Sequence, residues 1–230
     1  LITERMKNNI KYILNKIEDN IKKHSSKEKN IKLIIVTKSQ IIDDIKILIN
    51  LGYKSFGENY LNEAKSKILT LSNENIEWHF IGKIQSNKVK DIVKHFSFIQ
   101  TIASMKHAEI IDCECKKQNK IMNACIQINI DREDSKAGIL SDELDEFLSN
   151  MANLVNIRIR GIMAIPSKEN IARGDLKSYE IMRDLYNKFS KKYDYFDTLS
   201  LGMSNDYIDA LENGSNMIRI GSMIFGERNS

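Results

Sequence analysis

Apolar residues recur along the chain in two alternating rhythms. The first is helical. Ile10, Ile13, Leu14, Ile17 and Ile21 fall on one face at a 3.6-residue spacing, so residues 1–24 are predicted to form an amphipathic helix. After it, short apolar runs alternate with longer amphipathic ones. The short runs predict strands near Leu33–Val36, Lys54–Phe56, Glu77–Ile81, Phe98–Thr101, Asn123–Ile130, Arg158–Ala164, Thr198–Leu201 and Met217–Ile220. Helical faces lie between them, such as Ile41, Ile45, Leu48 and Ile49, or Leu61, Ala64, Ile68 and Leu71. Ser86, Ser104, Ser141 and Ser204 stand where N-caps are expected, and Gly214 where the segment Asp206–Asn213 should stop.

Eight βα units in series, with no glycine-rich linker, predict one domain over residues 1–230, with the helix of residues 1–24 packed on it. Strands joined by helices run parallel, and eight of them close best into a (β/α)8 TIM barrel. An open doubly wound sheet is the alternative. In a barrel the functional residues sit just after the strands. Lys38 follows the first strand and "GENY" the second. "GKIQSNK" follows the third, "DREDSKAG" the fifth, "IPSKEN" the sixth, "GMSND" the seventh and "GSMIFGER" the eighth.

Composition narrows the classes. The chain is 42% hydrophobic and 29% charged, with a net charge of only +4, and its basic residues are interspersed with acidic ones. That is a solvated surface rather than a nucleic-acid groove. No apolar stretch approaches the roughly 20 residues of a membrane span, and there is no secretory pattern. Cys113, Cys115 and Cys125 are odd in number and lack metal-knuckle spacing, which fits a reducing, cytoplasmic setting. The four histidines form no ligand pair, so no metal is expected.

Several strand exits carry chemistry. Gly202-Met203-Ser204 and Gly221-Ser222 fall after the seventh and eighth strands, where barrels often bind phosphate. Singly, Gly221 reads as a tight turn and Ser204 as a cap; together they suggest a phosphate cup. Arg219 would put a fixed charge into the barrel mouth, or form a structural ion pair. Asn59 could position a ligand oxygen or form an Asx turn. His79 is a pocket-lining candidate at mid-strand, and Trp78 beside it should face the helices. Met163 reads as pocket wall. Asp131, Glu133, Asp134 and Lys136 offer an acid/base pair or simply a polar loop. A lysine at the rim of a phosphate cup, as Lys38 would be, suggests Schiff-base chemistry, with either a sugar phosphate or pyridoxal 5′-phosphate (PLP).

The motifs "IIVTKSQ", "FGENYLNEAKSK", "WHFIGKIQSNK", "QINIDREDSKAGI", "RGIMAIP" and "LSLGMSNDYIDAL…GSNMIRIGSMIFGER" resemble those of the pyridoxal phosphate homeostasis proteins, relatives of the alanine racemase N-terminal barrel. The resemblance runs from about Ile10 to Arg228. It implies a PLP fold type III barrel with PLP bound covalently on Lys38. It implies a phosphate cup at Ser204, Gly221 and Ser222, with Arg219 facing the pyridine nitrogen. Asn59 and His79 match positions near the cofactor. Three departures stand out. Ser39-Gln40 replaces the family's usual second lysine and proline, Gly82-Lys83-Ile84 replaces glycine-proline-leucine, and Ser222 replaces threonine.

The related racemases carry a second domain that supplies an acid/base tyrosine and the dimer contact. This chain ends about where its barrel ends, so the expectation is a monomer that binds PLP with no established catalytic activity. Its role would be vitamin B6 homeostasis, with apo PLP-dependent enzymes as partners. The alternative is a small racemase-like PLP enzyme acting on amino acids, with Glu58 or the Asp131–Asp134 loop as acid/base groups. A cofactor-free Schiff-base aldolase is a third class.

Overall fold

The computed structural model describes residues 2–23 and 30–226. The expected helix end at His24, and Glu227 and Arg228 of the last motif, lie outside the described residues. All eight expected strands form. They are β1 (Lys32–Val36), β2 (Ser55–Glu58), β3 (Glu77–Phe80), β4 (Phe98–Ile102), β5 (Met122–Ile128), β6 (Ile157–Ala164), β7 (Thr198–Ser200) and β8 (Met217–Ile220). Each pairs in parallel with its neighbour in chain order, and β8 pairs back onto β1 with Arg219 opposite Ile34. That last ladder closes the barrel and excludes the open sheet.

Helices fill the crossovers that parallel strands require. After α1 (Ile2–Lys23) come α2 (Ile42–Asn50), α3 (Leu61–Thr70), α4 (Val89–His95), α5 (Met105–Lys117), α6 (Leu144–Asn150), α7 (Lys168–Arg173), α8 (Lys177–Ser190), α9 (Tyr207–Glu212) and α10 (Ser222–Phe225). Side chains alternate across each strand. One set, including Ile35, Phe56, Trp78, Ile99, Leu199 and Ile218, joins the helices in the main core. Trp78 therefore faces the helix layer as expected, against Phe56. The other set, Ile34, Phe98, Cys125, Met163 and Met217, forms a small separate cluster inside the barrel. Burying such a side chain contributes about 1.5–3 kcal/mol relative to leaving it in water.

The N-terminal helix packs through Met6, Ile10, Ile13 and Ile17. It also grips the last helix. Arg5 Nη2 donates to the carbonyl of Phe225 at 2.6 Å and Asn9 Nδ2 to that of Ile224 at 3.2 Å. These carbonyls would otherwise be unsatisfied at the end of α10.

Some caps differ from expectation. Ser104 caps α5, accepting from the His107 N–H. Ser86 and Ser141 instead open short 3-10 turns ahead of α4 and α6. At the second of these, the Glu143 carboxylate accepts the Leu140 N–H at 2.7 Å. The segment "IPSKEN", expected as a loop, contains the start of α7. Ser167 caps it, and Gly174 ends it in the left-handed conformation at φ 67°. Among the described residues no helix is long and apolar enough to cross a membrane, and no cluster of His, Cys, Asp and Glu could hold a metal.

Candidate functional site

At the exit of β1 the chain makes a tight turn, with the Gln40 N–H donating to the Thr37 carbonyl at 3.0 Å. Lys38 sits in this turn. Ser39 adopts the left-handed region at φ 62°, which a non-glycine residue enters at a cost of about 1–2 kcal/mol. Two neighbours hold it there. Glu63 accepts the Ser39 N–H at 2.5 Å, and Lys67 Nζ donates to the Thr37 carbonyl at 2.6 Å. Lys67 also binds Glu58 Oε1 at 2.8 Å and Glu63 Oε1 at 2.6 Å. The Thr37 hydroxyl donates to Glu58 at 2.6 Å. Lys67 and Glu58 are buried, and burial raises the Glu58 pKa although Lys67 and Thr37 work against it. This cluster lies between the barrel and α3, outside the lumen.

Lys38 lines a cavity of about 320 Å³ at the C-terminal mouth of the barrel. The size is at the lower end for small-molecule sites. Ser204, Arg219, Gly221 and Ser222 line the same cavity, together with Val36, Gln40, Lys136, Pro166, Met203 and Asp206. A Cβ at Gly221 would press on Val36 at 3.1–3.2 Å, so glycine lets the β8 exit lie close against β1. Ser204 does not cap α9. Its Oγ accepts the Met223 N–H of α10 at 3.2 Å, which ties the seventh loop to the eighth. Asp206 braces the seventh loop itself. It accepts from the Met203 N–H and from the Tyr179 hydroxyl, both at 2.7 Å.

Arg219 is buried at the base of the cavity. Its Nη1 donates to Ser200 Oγ at 2.5 Å and its Nη2 to the Ala164 carbonyl at 3.0 Å. Burial lowers its pKa to about 10, and the charge of Asp206 opposes that shift, so it remains a cation at neutral pH.

The other three expected residues lie elsewhere. Asn59 lines a separate depression with Tyr60, Lys83 and Gln85. Met163 belongs to the apolar cluster of the lumen. His79 is also inside the barrel, stacked on Phe98 with ring centroids 4.8 Å apart and bonded to Gln100, below the cavity. The fifth loop is tied into the scaffold. The Asp131 carboxylate accepts from the Ser167 N–H and the Ser178 hydroxyl, both at 2.5 Å. Lys136 pairs with Glu133 and donates to the Ile165 carbonyl at 3.1 Å. Roomier cavities exist, one of about 620 Å³ at the opposite end of the barrel. Cations there are already matched, Lys32 with Glu77 and Arg160 with Asp197.

Residues 13–229 match the family described as alanine racemase, N-terminal domain. The pyridoxal phosphate homeostasis protein of Buchnera aphidicola from Schizaphis graminum is 42% identical over 94% of this chain and 95% of its own length. The chain belongs to this family. The protein of that name from Escherichia coli K12 is 37% identical over 96% of this chain and 97% of its own. Among solved structures, PipY of Synechococcus elongatus with PLP bound aligns with a TM-score of 0.81 at 26% identity, over 98% of this chain and all of that one. An alanine racemase of Clostridium difficile aligns at 0.71 over 57% of its length, at 16% identity, which speaks to the fold alone.

Within the family frame, five of the expected residues converge on one cavity. Gln40, Lys136 and Asp206 join them without having been singled out as ligand contacts. Gln40 and Lys136 lie in the strand-exit loops, which was a usable signal; the part played by Asp206 depends on a tertiary contact to Tyr179.

Proposed function

We propose that this chain binds PLP at the barrel mouth, held as a Schiff base on Lys38, and serves PLP homeostasis. The observation that carries the reading is the convergence of Lys38, Arg219, Ser204, Gly221 and Ser222 on one 320 Å³ cavity. The donor set fits the group. Lys38 offers an amine for an aldehyde. Ser204 and Ser222 offer hydroxyls, beside a glycine that brings the backbone close, for a phosphate. Arg219 offers a buried guanidinium that cannot act as an acceptor, so toward a pyridine nitrogen it can only donate. A nitrogen so bonded stays unprotonated, which makes the ring a weaker electron sink. Bound PLP supplies an aldehyde that joins amines reversibly.

A holding role is supported by the carboxylates. Glu58 faces α3 and pairs with Lys67, while Asp131 is consumed by Ser167 and Ser178. Neither lines the cavity, and Glu133 of the same loop as Asp131 pairs with Lys136. PipY and the homeostasis proteins give the same direction. We infer a cytoplasmic protein, in keeping with free Cys113, Cys115 and Cys125, acting as a monomer that exchanges PLP with apo enzymes.

The test is spectroscopic. Purified protein mixed with PLP is expected to turn yellow, and borohydride should fix the cofactor to a peptide containing Lys38. Lys38→Ala should abolish both. A lysine-linked adduct surviving in Lys38→Ala would refute the assignment. Exchange of the α-hydrogen of amino acids in deuterated water would favour the enzyme instead.

A further inference from the structure

Arg219 begins a line of buried polar groups that runs down the barrel lumen. Its Nη1 donates to Ser200 Oγ at 2.5 Å, and the Ser200 hydroxyl donates to Gln100 Oε1 at 2.7 Å. Gln100 Nε2 lies 3.0 Å from His79 Nδ1 and 3.3 Å from Met217 Sδ. On its other side, His79 Nε2 lies 3.4 Å from Glu77 Oε1, at the N-terminal end of the barrel, and Lys32 binds the second oxygen of Glu77 at 2.7 Å. Arg219, Ser200, Gln100 and His79 are all buried.

The line has a direction. Arg219 can only donate, so Ser200 must accept from it and is free to donate onward. Gln100 then turns its oxygen to Ser200 and its nitrogen to His79 and Met217. The opposite amide orientation would set the oxygen against the Met217 sulfur and leave the Ser200 proton without an acceptor. Thus His79 accepts at Nδ1 and carries its proton on Nε2, facing Glu77. From Nη1 of Arg219 the donors run away from the cavity through Ser200 and Gln100, while Nη2 bonds the Ala164 carbonyl; His79 Nε2, at the far end, approaches Glu77 without a formed hydrogen bond. In a low-dielectric interior such aligned bonds reinforce one another.

Resting on the reading of the cavity as a PLP site, we propose that Gln100 and His79 are positioning residues that act on the ligand through Ser200 and Arg219. They fix which face of Ser200 meets the guanidinium, and so fix where Arg219 presents its remaining donors to the cavity. Glu77, at the far end, lies 3.4 Å from His79 Nε2 and is itself paired with Lys32. Neither residue touches the cavity.

The experiment compares PLP-loaded wild type with Gln100→Leu, His79→Leu and His79→Gln. Both leucine variants are expected to raise the PLP dissociation constant about 5- to 10-fold, the scale of one mis-set buried hydrogen bond. They should also shift the absorbance maximum of bound PLP while borohydride still fixes it to Lys38. His79→Gln, whose amide oxygen can accept from Gln100, should restore both properties. A drop in thermal midpoint with affinity and absorbance unchanged would mean a merely structural role and would overturn the proposal. A second measurement needs no variant. The ring-nitrogen chemical shifts of His79 in the wild-type protein should show a bare Nδ1 and a protonated Nε2; a proton on Nδ1 overturns the proposal. Wild type that takes up no PLP sinks the reading of the cavity and the proposal together, whereas normal uptake with unaltered variants sinks the proposal alone.

Discussion

Lys67 Nζ lies 2.6 Å from the carbonyl oxygen of Thr37, the residue before Lys38. A buried lysine on α3 thus holds the turn that carries the proposed Schiff-base lysine. Lys67→Met would leave the Glu58 carboxylate without its cation, with Oε2 already lacking a hydrogen-bond partner. Loss of one partner of a buried pair costs about 3–5 kcal/mol. Denaturant unfolding is expected to show a loss of that order, and Lys67→Met/Glu58→Gln should recover a large part of it. Additive losses in the double variant would show that the pair is not coupled.

Acid stability should fall in two windows. Burial lowers the His79 pKa, although Glu77 opposes the shift, so the unfolded chain takes up a proton that the folded one refuses. Stability then falls as pH drops below about 6.5, the unfolded value. Glu77 is pushed up by burial, but His79 and Lys32 more than offset this and hold it well below the usual carboxylate range. Its contribution is present above about pH 4.3 and is lost below it. Melting curves across pH should lose the upper slope in His79→Gln and the lower one in Glu77→Gln.

The two cup serines should separate. Ser204 Oγ caps the Met223 N–H, so Ser204→Ala is expected to cost about 1 kcal/mol of stability as well as PLP affinity. Ser222 is exposed, and Ser222→Ala should weaken PLP without moving the thermal midpoint. Titration calorimetry beside thermal melts distinguishes them; equal midpoints for both variants would contradict the Ser204 tie.

Thiol reagents should find one cysteine. Cys113 is exposed, while Cys115 and Cys125 are buried. Burial pushes the Cys115 thiol up to about 11 and Cys125 higher still. One equivalent should react in the native protein and all three after denaturation, as read with a chromogenic disulfide.

The strands were legible because a (β/α)8 barrel repeats one simple pattern, and so was the position of Lys38, Ser204, Gly221 and Ser222 at strand exits around one cavity. Helix α7 was missed although Ser167 and Gly174 bracket it, because six residues hold too few turns for a period to show. Nothing in "NEAKSK" sets Lys67 apart; the packing of α3 on β2 reveals that it is buried. Gln100 in "FIQTI" gave no signal at all. Its contacts depend on residues 79, 200 and 219 meeting inside the barrel, a property of strand register rather than of local sequence.

The grip of α1 on α10 ties the two ends of the described chain together. Arg5 meets Phe225 across 220 residues of chain, and Asn9 meets Ile224 across 215. Contacts of such long range close large loops, whose entropy must be lost before the contacts reward folding. The helix that carries Ser222 is thus held in part by a segment more than 200 residues away in the chain. Removal of α1 would therefore loosen the turn that carries Ser222 while leaving Lys38 on β1, and retention of PLP should suffer before the strands do.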